Sequence, residues 1–165
     1  MRLLAAAAPG ARTPGALLDP ARLRVGAKHH LLPISRHIEE QGLQRGSPPV
    51  VLAAFQNAAY FTPDTIRRYE ALAARCPLVV ALGAGLPPSP AKGVRGATVG
   101  PDDPLLGEWV VVVVGSHYTG ALISTDLGDE GPDADRRFRF VVTHDHDVVV
   151  RAARSLLARV DPLLG

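Results

Sequence analysis

The hydrophobic positions change period several times along the chain, and each change marks an element. Leu31, Ile34 and Ile38 recur at three- and four-residue spacing, the period of an amphipathic helix. They predict a helix over 33–45 that opens on Pro33, a residue tolerated in a first turn, and stops at Gly46. Glu39, Glu40 and Gln44 are expected on its wet side. Residues 49–55 form a continuous apolar run between Ser47-Pro48 and Gln56-Asn57, the pattern of a strand buried on both faces. Next, Thr62-Pro63-Asp64 supplies a capping hydroxyl, a proline for the first helical position and an acidic first turn. The helix it starts turns Ile66, Tyr69, Ala73 and Cys76 inward and leaves Arg67, Arg68, Glu70 and Arg75 outside. Residues 78–82 read as a second buried strand, joined to the first by a right-handed parallel crossover.

Beyond it, 83–100 is a Gly- and Pro-rich loop with room for a short strand near 94–99. Residues 109–114 and 121–125 predict two strands around the turn residues 115–120, a hairpin. The stretch 126–135 holds five acidic residues with Gly128, Gly131 and Pro132 and reads as a solvated loop. A strand over 138–143 follows, then a helix over 147–160 with Val149, Ala152, Ala153, Leu156 and Val160 on the core and Arg151, Arg154 and Arg159 in water. The expected fold class is α/β, a single domain with a mixed sheet of about five strands flanked by about three helices. Residues 1–26, with Pro9, Pro14, Pro20 and no sustained period, are expected to be a flexible Pro/Gly/Ala-rich extension to a domain over 27–165.

Composition adds bounds to this pattern. At 165 residues, 47% hydrophobic and 21% charged, the chain suits one globular core. Aromatics make up only 5%, so Ala, Val and Leu must fill most of it. Lys and Arg number 18 against 16 Asp and Glu, and they are scattered rather than striped, which argues against a nucleic-acid footprint. The single cysteine, Cys76, has no intrachain partner, as befits a reducing compartment. Pro9-Gly10 interrupts the first apolar run too early for a signal peptide, and 109–114 falls far short of the ~20 residues of a spanning helix. The expectation is a cytoplasmic protein with no membrane segment.

Candidate chemistry is sparse. Gly83-Ala84-Gly85 follows a strand as a dinucleotide fingerprint does, but Pro87-Pro88 stand where a helix should present its N–H groups to phosphate. His144-Asp145-His146-Asp147 is the most metal-like run, since alternate residues on a strand share a face. It lacks an evident third ligand, so the plainer expectation is a strand end with Asp147 as helix cap. Ser35, His37 and Glu39 are two apart on one helix and do not face each other. Cys76 has no visible basic partner to make it a thiolate. No catalytic residue, metal or cofactor is therefore assigned. The more suggestive group is Phe55, Gln56, Tyr60 and Phe61 at the C-terminal end of the first strand, where open α/β sheets bind ligands, with Glu108 and Trp109 as a second wall.

Five motifs in order carry a resemblance. They are Leu32-x-Ile34-Ser35-x-x-Ile38-Glu39, the strand ending in Phe55-Gln56, Pro104-Leu105-x-x-Glu108-Trp109, Arg137-Phe138, and Val149-x-Arg151-Ala152-Ala153-Arg154. Over about 28–160 the chain resembles the DICT sensory domain, named for diguanylate cyclases and two-component systems. It departs from the family pattern at Ser124-Thr125-Asp126 and at His146. The resemblance implies a non-enzymatic module that senses or relays a signal. It also implies partners such as a histidine kinase, a cyclic-dinucleotide enzyme or a transcription regulator, and in actinobacteria a standalone form, which is the form expected here. Two rival expectations remain, a metal-dependent hydrolase built on His144 and His146 and a pure protein–protein adaptor.

Overall fold

The computed structural model describes residues 12–160. A seven-stranded sheet in the order β1-β7-β6-β5-β2-β3-β4 divides them into three layers. The strands are β1 Arg24–Ala27, β2 Val50–Asn57, β3 Val79–Ala84, β4 Arg95–Thr98, β5 Glu108–Val114, β6 Thr119–Asp126 and β7 Arg137–Thr143. β2, β3 and β4 run parallel to one another, and β5, β6, β7 and β1 add on antiparallel. Helices α1 Lys28–Glu40 and α2 Pro63–Ala73 pack on one face and α3 His146–Leu157 on the other. Alternation sorts the strand residues accordingly. Val51, Ala53, Phe55, Val111 and Val113 meet α1 and α2, while Leu52, Ala54, Val110 and Val112 meet α3.

The mixed sheet, three helices and hairpin match the expected class, but the sheet has seven strands rather than about five. Beyond the five stand β4, at the place where a short strand near 94–99 had room, and β1, which was not expected. Both are edges of four residues, and β1 is too short for an alternating pattern to register. The expected extension lies in part outside the described residues, which begin at 12. The part within them is built into the fold. Thr13 caps a 3-10 turn at Pro14–Leu17, Ser155 on α3 donates to the carbonyl of Arg12, and β1 pairs with β7. On the opposite edge, the amide of Gly96 in β4 donates to the Pro88 carbonyl at 2.8 Å, so the proline-rich loop covers that strand's outer side.

Helix α1 begins at Lys28, not Pro33. The chain passes from β1 straight into the helix, and Lys28 N continues the ladder by donating to Arg136 O at 2.8 Å. Pro33 therefore sits inside the helix, where it is exposed and its missing N–H leaves the His29 carbonyl unbonded within the helix. Further along, Asp145 rather than Asp147 caps α3, accepting from the amides of Asp147 and Val148.

Arg159, expected in water, has a side chain only 5% exposed and paired with Asp103. Asp103 also caps the 3-10 turn Pro104–Gly107 by accepting from Leu105 N at 2.9 Å, while two nitrogens of Arg159 reach it at 2.6 and 2.9 Å. Burial alone raises this carboxyl, but the hydrogen bonds from Arg159 and Leu105 and the Arg159 charge outweigh it and hold the group below the usual carboxylate range. A depressed folded-state value contributes stability that is present above about pH 4 and is lost as pH falls through the folded value. Asp103→Asn is expected to cost about 1–3 kcal/mol at neutral pH, because Arg159 stays buried without its anion. It should also flatten the acid limb below about pH 4, as read from urea midpoints across pH.

Candidate functional site

A cavity of about 380 Å³ opens at the C-terminal end of β2, beneath α1 and the start of α2. The local sequence of β2 makes it. Pairing with β3 runs in register to Ala54 and shifts before Asn57, and Gln56 at the bulge takes φ +70°, a left-handed backbone that costs a residue with a Cβ. Its amide donates to Asp126 Oδ2 at 3.0 Å. Asn57 then caps a 3-10 turn, Ala58–Tyr60, by accepting from Ala59 N at 2.8 Å, and this turn carries Tyr60 to the cavity wall.

Four of the six expected site residues, Phe55, Gln56, Tyr60 and Trp109, line this cavity. Phe55 and Trp109 are opposite each other across the β2–β5 ladder. Phe61 does not line it. It is buried beneath α2, its ring 5.3 Å from Phe55 and 6.0 Å from Tyr69. Glu108 points the other way, because neighbours on a strand face opposite sides. It is buried on the α3 side and accepts from Gly15 N at 2.9 Å. Burial pushes its carboxyl up, against hydrogen bonds from Thr13 and Gly15. Glu108 thus anchors the N-terminal segment and forms no second wall to the cavity.

Several lining residues come from stretches read as solvent-facing. Glu39 is 4% exposed. It accepts a hydrogen bond from the hydroxyl of fully buried Tyr69 at 2.5 Å and pairs with Arg68. Burial pushes its carboxyl up, and Arg68, Tyr69 and Arg36 pull against that. The Tyr69 hydroxyl is held well above its usual range by burial first and by the neighbouring Glu39 charge second. A signal is available, since Leu31, Ser35, Ile38 and Glu39 form one buried stripe at helical spacing, but Glu39 reads as a wet-face residue because it is charged. The acidic stretch contributes as well. Asp133 lines the cavity and pairs with Lys28 at 2.6 Å, and Asp126 pairs with Arg136. The Lys28 ammonium lies 4.3 Å from the centre of the Tyr60 ring, and the Arg136 guanidinium 5.0 Å from it, so both cations are within cation–π reach of that ring.

The other candidates are accounted for elsewhere. His144 lies past the end of β7, with Nδ1 3.1 Å from the Thr119 carbonyl and its ring against Tyr118, whereas His146 opens α3. They do not share a strand face. Among the described residues no cluster of three His, Cys, Asp or Glu is arranged to hold a metal ion. The Ser35 hydroxyl donates to Leu32 O at 3.1 Å. Cys76 is buried against the Gly42 carbonyl, and burial raises its thiol. No helix opens after Gly83-Ala84-Gly85, where the chain goes on to β4. Among the described residues no helix is long and apolar enough to cross a membrane.

Fold and cavity define a class, the three-layer α/β domain with a pocket of small-molecule size at its strand ends. The family is more specific. Residues 15–127 match the model of DICT, the sensory domain in diguanylate cyclases and two-component systems, and the chain belongs to that family. The matched residues include Phe55, Gln56, Tyr60 and Trp109 but stop before Asp133, Ala134 and Phe138 on the cavity's other side. No curated protein matches the chain. A crystal structure of polyphosphate kinase from Porphyromonas gingivalis is similar over 79% of this chain, with a TM-score of 0.49 and 15% identity. This chain spans 22% of that kinase chain, and a likeness so weak carries no argument.

The buried network generates a test of its own. Glu39→Ala leaves the Tyr69 hydroxyl without an acceptor and Arg68 without its nearest anion, and should cost about 3 kcal/mol or more in denaturant unfolding. Tyr69→Phe removes one hydrogen bond without leaving a buried charge alone, so its expected cost is about 1 kcal/mol.

Proposed function

We propose that this chain is a non-enzymatic sensing module that binds a small ligand in the cavity at the end of β2 and relays its occupied or empty state. The receiver on this reading is a signalling protein such as a histidine kinase, a cyclic-dinucleotide enzyme or a transcription regulator. The observation that carries the reading is Gln56. A left-handed non-glycine residue costs on the order of 1–3 kcal/mol and persists where the surrounding structure and the function hold it. Here it lines the cavity, with its side-chain amide donating to Asp126 Oδ2 at 3.0 Å. Membership of a sensory family supports the same reading. So does the volume of about 380 Å³, within the range of pockets that enclose most of a small ligand's surface.

Substitutions at two neighbours separate site from scaffold. Gln56→Ala removes the amide and keeps the backbone conformation. It should abolish the ligand response while lowering stability by only about 1 kcal/mol, the worth of the hydrogen bond to Asp126. Gln56→Gly relieves the backbone as well and should be no less stable than Gln56→Ala, yet equally unresponsive. Phe55→Ala, deep in the cluster with Phe61 and Tyr69, should cost about 3–5 kcal/mol. Unfolding curves and signal output measured together decide the matter. A Gln56→Ala variant with full output removes this site.

A further inference from the structure

The walls of the cavity narrow what it would accept. Phe55, Tyr60, Trp109 and Phe138 all line it, and aromatic faces and edges favour a planar ring set against them. The charged lining is uneven, with Lys28, Arg36 and Arg68 against Glu39 and Asp133. Lys28 is matched by Asp133 and Arg68 by Glu39, which leaves Arg36. Its described partner is Asp64 at 3.7 Å, and that carboxylate also faces Arg67 at 3.5 Å and Arg68 at 3.3 Å. The lining thus carries three cations against two carboxylates, and Arg36, which shares Asp64 with Arg67 and Arg68 and Glu39 with Arg68, has no carboxylate of its own. Its side chain is half exposed, free to fork onto an oxyanion.

A second observation concerns the cation behind the aromatic walls. Arg136 is nine-tenths buried between the rings of Tyr60 and Phe138, at 5.0 and 5.2 Å. Two of its nitrogens serve Asp126 and Asp133, but Nη2 is buried with no acceptor among the described residues. Two cavity walls are therefore backed by a guanidinium with a donor to spare. Along α1, Lys28 beside Tyr60 and Arg36 are two turns apart, about 12 Å, so the two cations stand at different ends of the cavity wall that α1 forms.

We infer that the cavity takes a planar aromatic anion, its ring against Trp109 and Tyr60 and its carboxylate or phosphate oxygens on Arg36. The inference rests on the sensing reading above and adds to it the chemical class of the signal. Trp109 is the chain's one tryptophan, so its emission reports on the cavity directly. The purified chain is titrated with cinnamate, phenyl phosphate, cinnamamide and hexanoate, following Trp109 emission and the melting temperature. Cinnamate or phenyl phosphate should move both signals, and the tighter of the two identifies the anionic group. The neutral amide and the aliphatic acid should bind at least about tenfold more weakly, for want of one charged contact. Arg36→Gln should weaken binding of the aromatic anion by about tenfold to a hundredfold without moving the melting temperature of the free protein. Arg67→Gln, which faces the same Asp64 but lies outside this cavity, should leave the affinity unchanged. If cinnamamide binds as tightly as cinnamate, or Arg36→Gln binds normally, the anionic class is wrong and the cavity remains a ligand site. If none of the four probes moves either signal, the ligand class and the cavity reading fall together.

Discussion

The cavity depends on the register in which β5 lies between β2 and β6. Phe55 stands opposite Trp109, and Glu108 opposite Thr125. A slip of one residue would send Trp109 to the α3 side and Glu108 into the aromatic walls, since side chains alternate. The five valines of β5 (Val110 to Val114) cannot set this register, because exchanging one valine for the next changes almost nothing. The information sits at the strand's start. Glu108 is fixed by the amide of Gly15 on one face, the Trp109 ring meets Phe138 at 5.5 Å on the other, and the Trp109 carbonyl accepts from Ser124 Oγ at 2.7 Å. The polar and aromatic residues that look like site chemistry are thus also what aligns the sheet.

Charge is organised by the same end of the sheet. Lys28, Arg136 and Arg137 find their anions in the acidic stretch after β6, so a segment that carries no core residue closes one side of the cavity. On the other side the Glu39–Arg68 pair separates the cavity from a second groove of about 370 Å³ between α1 and α2, and both residues, with Arg36, line each. A buried pair of this kind contributes little net stability. What it supplies is position, since Tyr69 and Arg68 hold Glu39 between them and fix how α1 approaches α2.

How much of this was legible in the sequence follows from the range of each interaction. The central strands and α2 were plain, because a run of β-branched and apolar residues and a Thr-Pro-Asp start are local signals, and Phe55, Gln56 and Tyr60, expected at the strand end, line one cavity with Trp109, expected as a second wall. Three things were not local. Glu39 and Arg68 look like wet-face residues on their own helices, and only the meeting of α1 with α2 turns each into the other's partner. Asp133 and Lys28 are 105 residues apart in sequence. The direction of Glu108 depends on a strand start that the reading set one residue later, at Trp109. Pro33 misled in another way, since a proline at a helix start is common enough to outweigh the backbone continuity from β1 that begins α1 at Lys28.

The two short edges of the sheet also matter. A sheet of seven strands exposes its backbone donors and acceptors only along its first and last members, and here these are four residues each. Beyond β4, prolines occupy the adjoining loop, and Gly96 already has its acceptor there. On β1 the exposed positions begin with Arg24, a charge that repels a second copy laid alongside. The valine-rich centre, which as a free segment has the composition of an aggregating peptide, is shielded from intermolecular strand addition by edges too short and too occupied to serve as a template. Folded molecules therefore have little exposed backbone through which to join sheet to sheet along these edges.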